Sequence, residues 1–291
     1  MSVFRASSAV APAIMGIVNV TPDSFSDGGH LSSPETALAH ALRLIEQGAD
    51  ILDIGGESTR PGATPVPADE EIARVIPLIT ALRTQWAGPI SIDTMKPEVA
   101  RAAVAAGATM WNDVTALSHS PDSLQAAVEL GCDVILMHMQ GQPQTMQQAP
   151  TYEDVVSDVT NWLGARADEA MSAGVSRDCI WLDPGIGFGK TPEHNLALTA
   201  GLQKLTVLGF PILYGASRKR TIQSVDSTAT DPLDRLGGSI ALALEAARQG
   251  ADIIRVHDVR ETVQALRMQA ALRSAATSDA AATAGPSPSQ T

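Results

Sequence analysis

Aromatic side chains are scarce in this 291-residue chain, at 3 %. Phe25, Phe188 and the four Trp are therefore few enough to weigh one by one. Charge is sparse too, at 18 %, and the 20 Lys and Arg are outnumbered by 32 Asp and Glu. A face that binds nucleic acid has to be basic, so a net charge of −12 argues against that partner. Small anions remain open, because a few cations can be gathered in one cleft. No apolar run approaches the roughly 18 residues of a membrane span, which predicts a soluble chain. The opening MSVFRASSAVAP has one Arg, a short apolar stretch and no clear cleavage site, and does not read as a signal peptide. Cys132 and Cys179 are the only cysteines. They make neither a disulfide framework nor a metal-ligand spacing, and predict two buried thiols in a reducing, cytoplasmic compartment. What the chain does have is apolar bulk, 44 % of it, enough to bury a sizeable core and to exclude a disordered chain.

One pattern recurs. A helix-like stretch ends in glycine, then a small residue, then a short apolar run: Gly48-Ala49-Asp50-Ile51, Gly107-Ala108-Thr109-Met110, Gly131-Cys132-Asp133-Val134 and Gly250-Ala251-Asp252-Ile253. Physically this is a helix closed by a glycine at positive φ and followed by a buried strand. Apolar runs at 13–20, 89–94, 179–184 and 210–217 bring the strand candidates to eight. Leu38, Ala41, Leu42 and Ile45 have the spacing of one helix face, and Asp231-Pro232 reads as an N-cap with proline at the first helical position. Eight alternating β and α units predict a (β/α)8 barrel over residues 13–273, with a doubly wound open sheet as the competitor. Residues 1–12 form an N-terminal extension. Residues 274–291 are almost all Ala, Ser, Thr, Gly and Pro, and predict a disordered tail.

Polar residues cluster where each strand stops: Asn19, Glu57 with Ser58 and Thr59, Asp93, Asn112 with Asp113, His138 with Met139, Asp183, Ser217 with Arg218 and Lys219, and Arg255 with His257. In a parallel barrel these ends meet at one mouth, where such enzymes do their chemistry. Asp93, Asn112 and Asp183 suit a flat heterocycle with several N–H donors. Lys219, Arg218, Arg255 and His257 suit phosphate or diphosphate. Singly, each has a plainer reading: Asp113 as a cap, His138 as a core histidine, Arg218 as a surface charge. The segment Gly185-Ile186-Gly187-Phe188-Gly189-Lys190-Thr191 is not a nucleotide-binding P-loop, since Pro184 stands where the first glycine belongs. Its glycines predict a close approach of backbone to ligand, with Phe188 facing an aromatic ring.

The segment Met15-Gly16-Ile17-Val18-Asn19-Val20-Thr21-Pro22-Asp23-Ser24-Phe25-Ser26-Asp27-Gly28-Gly29 resembles the opening signature of the dihydropteroate synthase family. Asp53-Ile54-Gly55-Gly56-Glu57-Ser58-Thr59-Arg60-Pro61-Gly62 resembles its second signature. Shorter matches follow in order to Arg255-Val256-His257-Asp258. The resemblance implies a (β/α)8 barrel and a folate-pathway transferase. Such an enzyme joins 6-hydroxymethyl-7,8-dihydropterin diphosphate to para-aminobenzoate and releases diphosphate. It implies Mg²⁺ as cofactor and a homodimer, with no membrane or nucleic-acid partner. By matched position, Asp93, Asn112, Met139, Asp183 and Lys219 would hold the pterin. Asn19, Thr59, Arg255 and His257 would hold the diphosphate, with Asn19 also at Mg²⁺. Thr59, Arg60, Pro61, Gly187, Phe188, Ser217 and Lys219 would line the aminobenzoate pocket. Asp93, Asp183, Lys219 and Arg255 would carry catalysis.

No protein nucleophile is required if diphosphate leaves first, because the resulting cation spreads over the pterin ring. Loops 21–29 and 58–62 are expected to close over it and exclude water. One position departs from the family: Arg220 stands where many members have Ser, which bears on the aminobenzoate carboxylate and on sulfonamide affinity. The alternatives are a pterin-binding methyltransferase using methyltetrahydrofolate and a catalytically inactive relative.

Overall fold

The structure, a computed structural model, describes residues 11–21, 34–59, 63–142 and 145–283. Among them strands and helices alternate: β1 (Ala13–Asn19), α1 (Pro34–Glu46), β2 (Ile51–Gly55), α2 (Ala68–Arg83), β3 (Ile90–Asp93), α3 (Pro97–Ala105), β4 (Met110–Asp113), α4 (Ser123–Leu130), β5 (Asp133–Met137), α5 (Val155–Ala173), β6 (Ile180–Asp183), α6 (Pro192–Ala200), β7 (Leu213–Tyr214), α7 (Arg220–Val225), α8 (Leu236–Arg248), β8 (Ile253–Val256) and α9 (Val259–Thr283). All pairings are parallel, in the order β6-β5-β4-β3-β2-β1-β8-β7. A parallel bridge between Leu182 and Ile212 brings β6 against β7 and closes the ring. The open sheet is thereby excluded, and the fold is the (β/α)8 barrel.

Alternation along each strand sorts side chains to two faces. Met15, Ile51, Met110, Ile135, Trp181, Leu213 and Ile253 point inward and plug the barrel as one buried cluster. Ile14, Leu52, Ile54, Ile92, Val134 and Leu182 point outward into a larger cluster shared with the helices. The four glycines of the recurring pattern all take positive φ, from 57° at Gly131 to 115° at Gly107. Asp231 accepts from the Leu233 amide at 2.8 Å and caps the short turn that leads into α8. In α1 the buried residues are Ala37, Ala41 and Leu44, with Leu38, Leu42 and Ile45 on the flank of that face.

Two boundaries differ from the sequence reading. β7 is two residues long, because Pro211 has no N–H for the ladder and the chain turns after Tyr214. Helix α9 continues past Ser274 to Thr283, into the segment expected to be disordered. Among the described residues Leu266 is its last buried one, and Gln269 ties it to α8 through the Leu244 carbonyl; residues 271–276 are exposed, so alanine-rich propensity carries the helix on from there. The segments 1–10, 22–33, 60–62, 143–144 and 284–291 lie outside the described residues. Both cysteines are buried and free, and burial pushes the Cys132 thiol up to about 12. No helix among the described residues is long and apolar enough to cross a membrane.

Candidate active site

The residues two positions beyond the apolar plug form the floor of the mouth. Asp53 follows Ile51, Asn112 follows Met110, Asp183 follows Trp181 and Arg255 follows Ile253, so period-two alternation puts all four on the inner face. Register adds Asp93, which pairs with Gly55 on one side and Asn112 on the other. The Arg255 guanidinium joins the set. Its Nε donates to Asp53 Oδ2 at 2.6 Å and its Nη2 to Asp93 Oδ2 at 2.7 Å. Asn112 Nδ2 donates to the same Asp53 oxygen at 3.1 Å. Asp53 is fully buried, and no protein donor among the described residues reaches its Oδ1 or that of Asp93. Two buried carboxylate oxygens without donors are an unfinished hydrogen-bond set.

Charge follows this geometry. Burial raises the Asp93 pKa, and Asp53, Glu71 and Asp113 add to the rise against the pull of Arg255. Burial raises Asp183 as well, opposed by Lys219, by the Gly185 amide bonded to its Oδ1 at 2.7 Å and by Arg255. Burial alone would lower Arg255, but Asp53 and Asp93 outweigh it and its pKa rises. Lys219 is pulled down to about 8 by burial, with Asp183 resisting. Its ammonium donates to the Ile186 carbonyl and lies 4.7 Å from the centre of the Phe188 ring, a cation–π approach. Gly187 takes φ of +82°, and a Cβ there would stand 3.1 Å from the Lys219 side chain.

The turn after β7 is held by a brace. Arg218 has φ of +58°, an unfavourable conformation for a side chain of its size. Its amide donates to Ser239 Oγ at 2.9 Å, its carbonyl accepts from Arg235 at 3.0 Å, and its guanidinium grips Asp258 at 2.6 and 3.0 Å. The cation that the sequence offered to a phosphate is therefore committed to Asp258. Ser217 Oγ accepts from the His257 amide at 3.2 Å and lies 3.0 Å from His257 Nδ1, joining the turn to the end of β8. Arg220 is exposed at the start of α7. Asp113 is structural: it accepts from the Thr115 amide and hydroxyl and from the Leu117 amide, while burial pushes it up to about 6.

Asn19, Thr59 and Met139 stand half-buried at the ends of β1, β2 and β5. Over β2 to β5 the mouth opens into a cavity of about 450 Å³ lined by Glu57, Lys96, Thr115, His119, Met139 and Trp162 among others. Arg60, Pro61 and Phe25 fall outside the described residues, as do the expected closing loops except Thr21, Ser58 and Thr59.

A family model described as pterin binding enzyme matches residues 15–257. The dihydropteroate synthase of Escherichia coli strain K12 is 48 % identical over 264 residues, covering 91 % of this chain and 93 % of that protein. The chain belongs to the dihydropteroate synthase family. It is accordingly a transferase of folate biosynthesis. Among solved structures, the Yersinia pestis dihydropteroate synthase in complex with a sulfonamide drug superposes with a TM-score of 0.87 at 45 % identity, covering 91 % of this chain and 95 % of that one. The Xanthomonas albilineans enzyme with 4-aminobenzoic acid gives 0.84 at 52 %, covering 90 % and 93 %. Its complex with 7,8-dihydropteroate gives 0.82 at 49 %, covering 91 % and 95 %.

Sequence reasoning passed over two residues of this family member's mouth. Asp53 anchors both Arg255 and Asn112; its signal was a lone carboxylate in the apolar run Ile51-Leu52-Asp53-Ile54. Lys96 lies 2.6 Å from both Glu57 and Glu71 and ties the end of β2 to α2 and to the start of α3. No local pattern marks that triad.

Proposed function

We propose that the mouth of the barrel condenses 6-hydroxymethyl-7,8-dihydropterin diphosphate with para-aminobenzoate by a dissociative route. The observation that carries this reading is the unfinished carboxylate set. Among the described residues no protein donor reaches the buried Oδ1 of Asp93, a residue that pairs along the sheet with Asn112, and a pterin presents the N–H groups such acceptors need. Complexes of close relatives with aminobenzoic acid and with dihydropteroate support the two halves of the reaction.

The carbon–oxygen bond to diphosphate breaks, and the cation left on the pterin methylene is spread over the ring. Asp93 and Asp183 stabilise that cation. Lys219, Arg255 and His257, with Asn19 and Thr59, receive the departing diphosphate. The amine of aminobenzoate then forms the carbon–nitrogen bond and gives its proton to solvent or diphosphate. Ser217, Lys219, Gly187 and Phe188 flank this second substrate, and Arg60 and Pro61 join them by family position.

Among the described residues no group of three His, Cys, Asp or Glu could hold a metal ion. Asn19 supplies one neutral oxygen. That donor set fits Mg²⁺ that arrives with the diphosphate and keeps its waters, since Mg²⁺ is commonly held by substrate phosphates and few protein groups. When bound, it would offset the charge on the leaving diphosphate. A cytoplasmic homodimer is the working form in this reading. The two buried free thiols support the compartment, and the exposed Val225, Met268 and Leu272 supply apolar surface for a partner.

The test is diphosphate release by the purified protein with Mg²⁺ and the dihydropterin diphosphate. Release that requires para-aminobenzoate and matches dihydropteroate formation is the expected result. A folded protein that binds pterin but releases nothing overturns it in favour of the inactive relative.

A further inference from the structure

Lys190 is the last residue but one of the glycine-rich segment Gly185–Thr191, and none of the roles above uses it. It is 2 % exposed, and among the described residues its three hydrogen-bond partners are all neutral. Its ammonium donates to the Phe188 carbonyl at 2.9 Å, to the His138 carbonyl at 3.2 Å and to His138 Nδ1 at 2.9 Å. His138 is neutral there, because burial and then Lys190 itself pull its pKa down to about 3. Its ring packs edge-on against Trp162 at 4.9 Å. Burying a cation with no carboxylate bonded to it is unfavourable: burial drags Lys190 down to about 7, with the nearby Asp183 charge opposing and Lys219 adding to the fall. An apolar side chain of that length would fill the space without this penalty, so the ammonium's hydrogen bonds are what the site uses.

Those bonds belong to a series. Four consecutive carbonyls after β6 each accept from a side chain of another segment or from the segment's own end: Ile186 from Lys219, Gly187 from Gln147 at 2.5 Å, Phe188 from Lys190, and Gly189 from the Tyr152 hydroxyl at 2.7 Å. The Gly187 amide donates to Asn195 Oδ1 at 2.8 Å. Lys190 is the member of this series that also hydrogen-bonds the end of β5, at His138, whose ring Tyr152 approaches to 6.0 Å. Phe188 is thus held at both ends: its carbonyl bonds to Lys190 at 2.9 Å and its ring lies 4.7 Å from the Lys219 ammonium.

We propose that Lys190 is a positioning residue for the aminobenzoate half of the site, fixing the Phe188 ring by tying its carbonyl to the end of β5. The proposal rests on the aminobenzoate pocket proposed above. It is tested by steady-state kinetics of Lys190→Met, which keeps the length of the stem and removes the donors. The expected result is an aminobenzoate KM raised about tenfold, as a small displacement of a substrate-facing group produces, with the dihydropterin diphosphate KM unchanged. In a Phe188→Ala background the same substitution adds nothing, since its effect runs through that ring. An equal rise in both KM values, or an additive effect with Phe188→Ala, overturns the proposal while leaving the synthase reading intact. A parent protein that makes no dihydropteroate overturns the synthase reading instead. If Lys190→Met does not fold, Lys190→Gln, which can still donate to one carbonyl, carries the same comparison. Failure of both to fold assigns Lys190 to stability alone and ends the proposal.

Discussion

The inside of this barrel has two storeys built from the same strands. The lower one is Met15, Ile51, Met110, Ile135, Trp181, Leu213 and Ile253, an apolar plug. The upper one, a single pleat higher, is Asp53, Asp93, Asn112, Asp183 and Arg255; Arg255 pairs with Asp53 and Asp93, and among the described residues two carboxylate oxygens have no protein donor. The plug gains free energy from every methylene it removes from water. The storey above holds charges that burial opposes, as the raised Asp93 and Asp183 and the lowered Lys219 record. Its arrangement favours a ligand more than the empty fold, and the plug beneath supplies the stability that permits this.

The comparison breaks most sharply at Arg255. Arg255→Met leaves Asp53 and Asp93 buried without their shared cation, and should lose about 3–5 kcal/mol of stability together with nearly all activity. Asp93 already has a raised pKa, so its folded form holds a proton where the unfolded chain has released one. Its contribution to stability is therefore present at low pH and lost as pH rises. Urea unfolding of the variant and its parent should show the gap narrowing as the pH is lowered; a gap independent of pH would refute the assignment.

Trp181→Ala tests the lower storey. It opens a cavity in the plug and should lose about 3–5 kcal/mol in the same unfolding assay. The folded fraction should keep the parent KM for pterin diphosphate, because nothing in the plug touches the ligand in this reading. A raised KM would mean that the storeys are coupled.

The alkaline limb of the pH profile is a gentler probe. Lys219 titrates near 8, so its ammonium is lost as pH climbs through that value, and kcat/KM should fall above it. Lys219→Arg keeps its charge to higher pH and should move that limb upward at reduced rate. A limb that stays in place assigns it to another group.

The smallest effect is expected at Gly187. An alanine there is strained at φ of +82° and sets a methyl 3.1 Å from Lys219. The strain should destabilise by about 1–2 kcal/mol, and the aminobenzoate KM should rise more than the pterin KM. Equal KM values for variant and parent would show that Lys219 moves aside freely.

Much of this was legible in one dimension. The glycine at each helix end and the apolar run after it marked the strands, because positive φ and two-sided burial each demand particular residue types. Polar residues where strands stop marked the mouth, because a barrel gathers those ends. Other features were not legible. The short β7 depends on where Pro211 falls against β6, and the length of α9 on propensity outlasting packing. Arg218 read as a free cation because its partner, Asp258, is 40 residues away.

The sequence by itself determined the number and kind of elements, the apolar plug and the polar strand ends, since periodicity and turn chemistry are local properties. Only the tertiary structure decided which polar groups meet. Arg255 reaches Asp53 across 202 residues and Asp93 across 162, and Lys190 reaches His138 across 52. Those pairings follow from strand order and register in a closed ring, which distances along the chain do not contain.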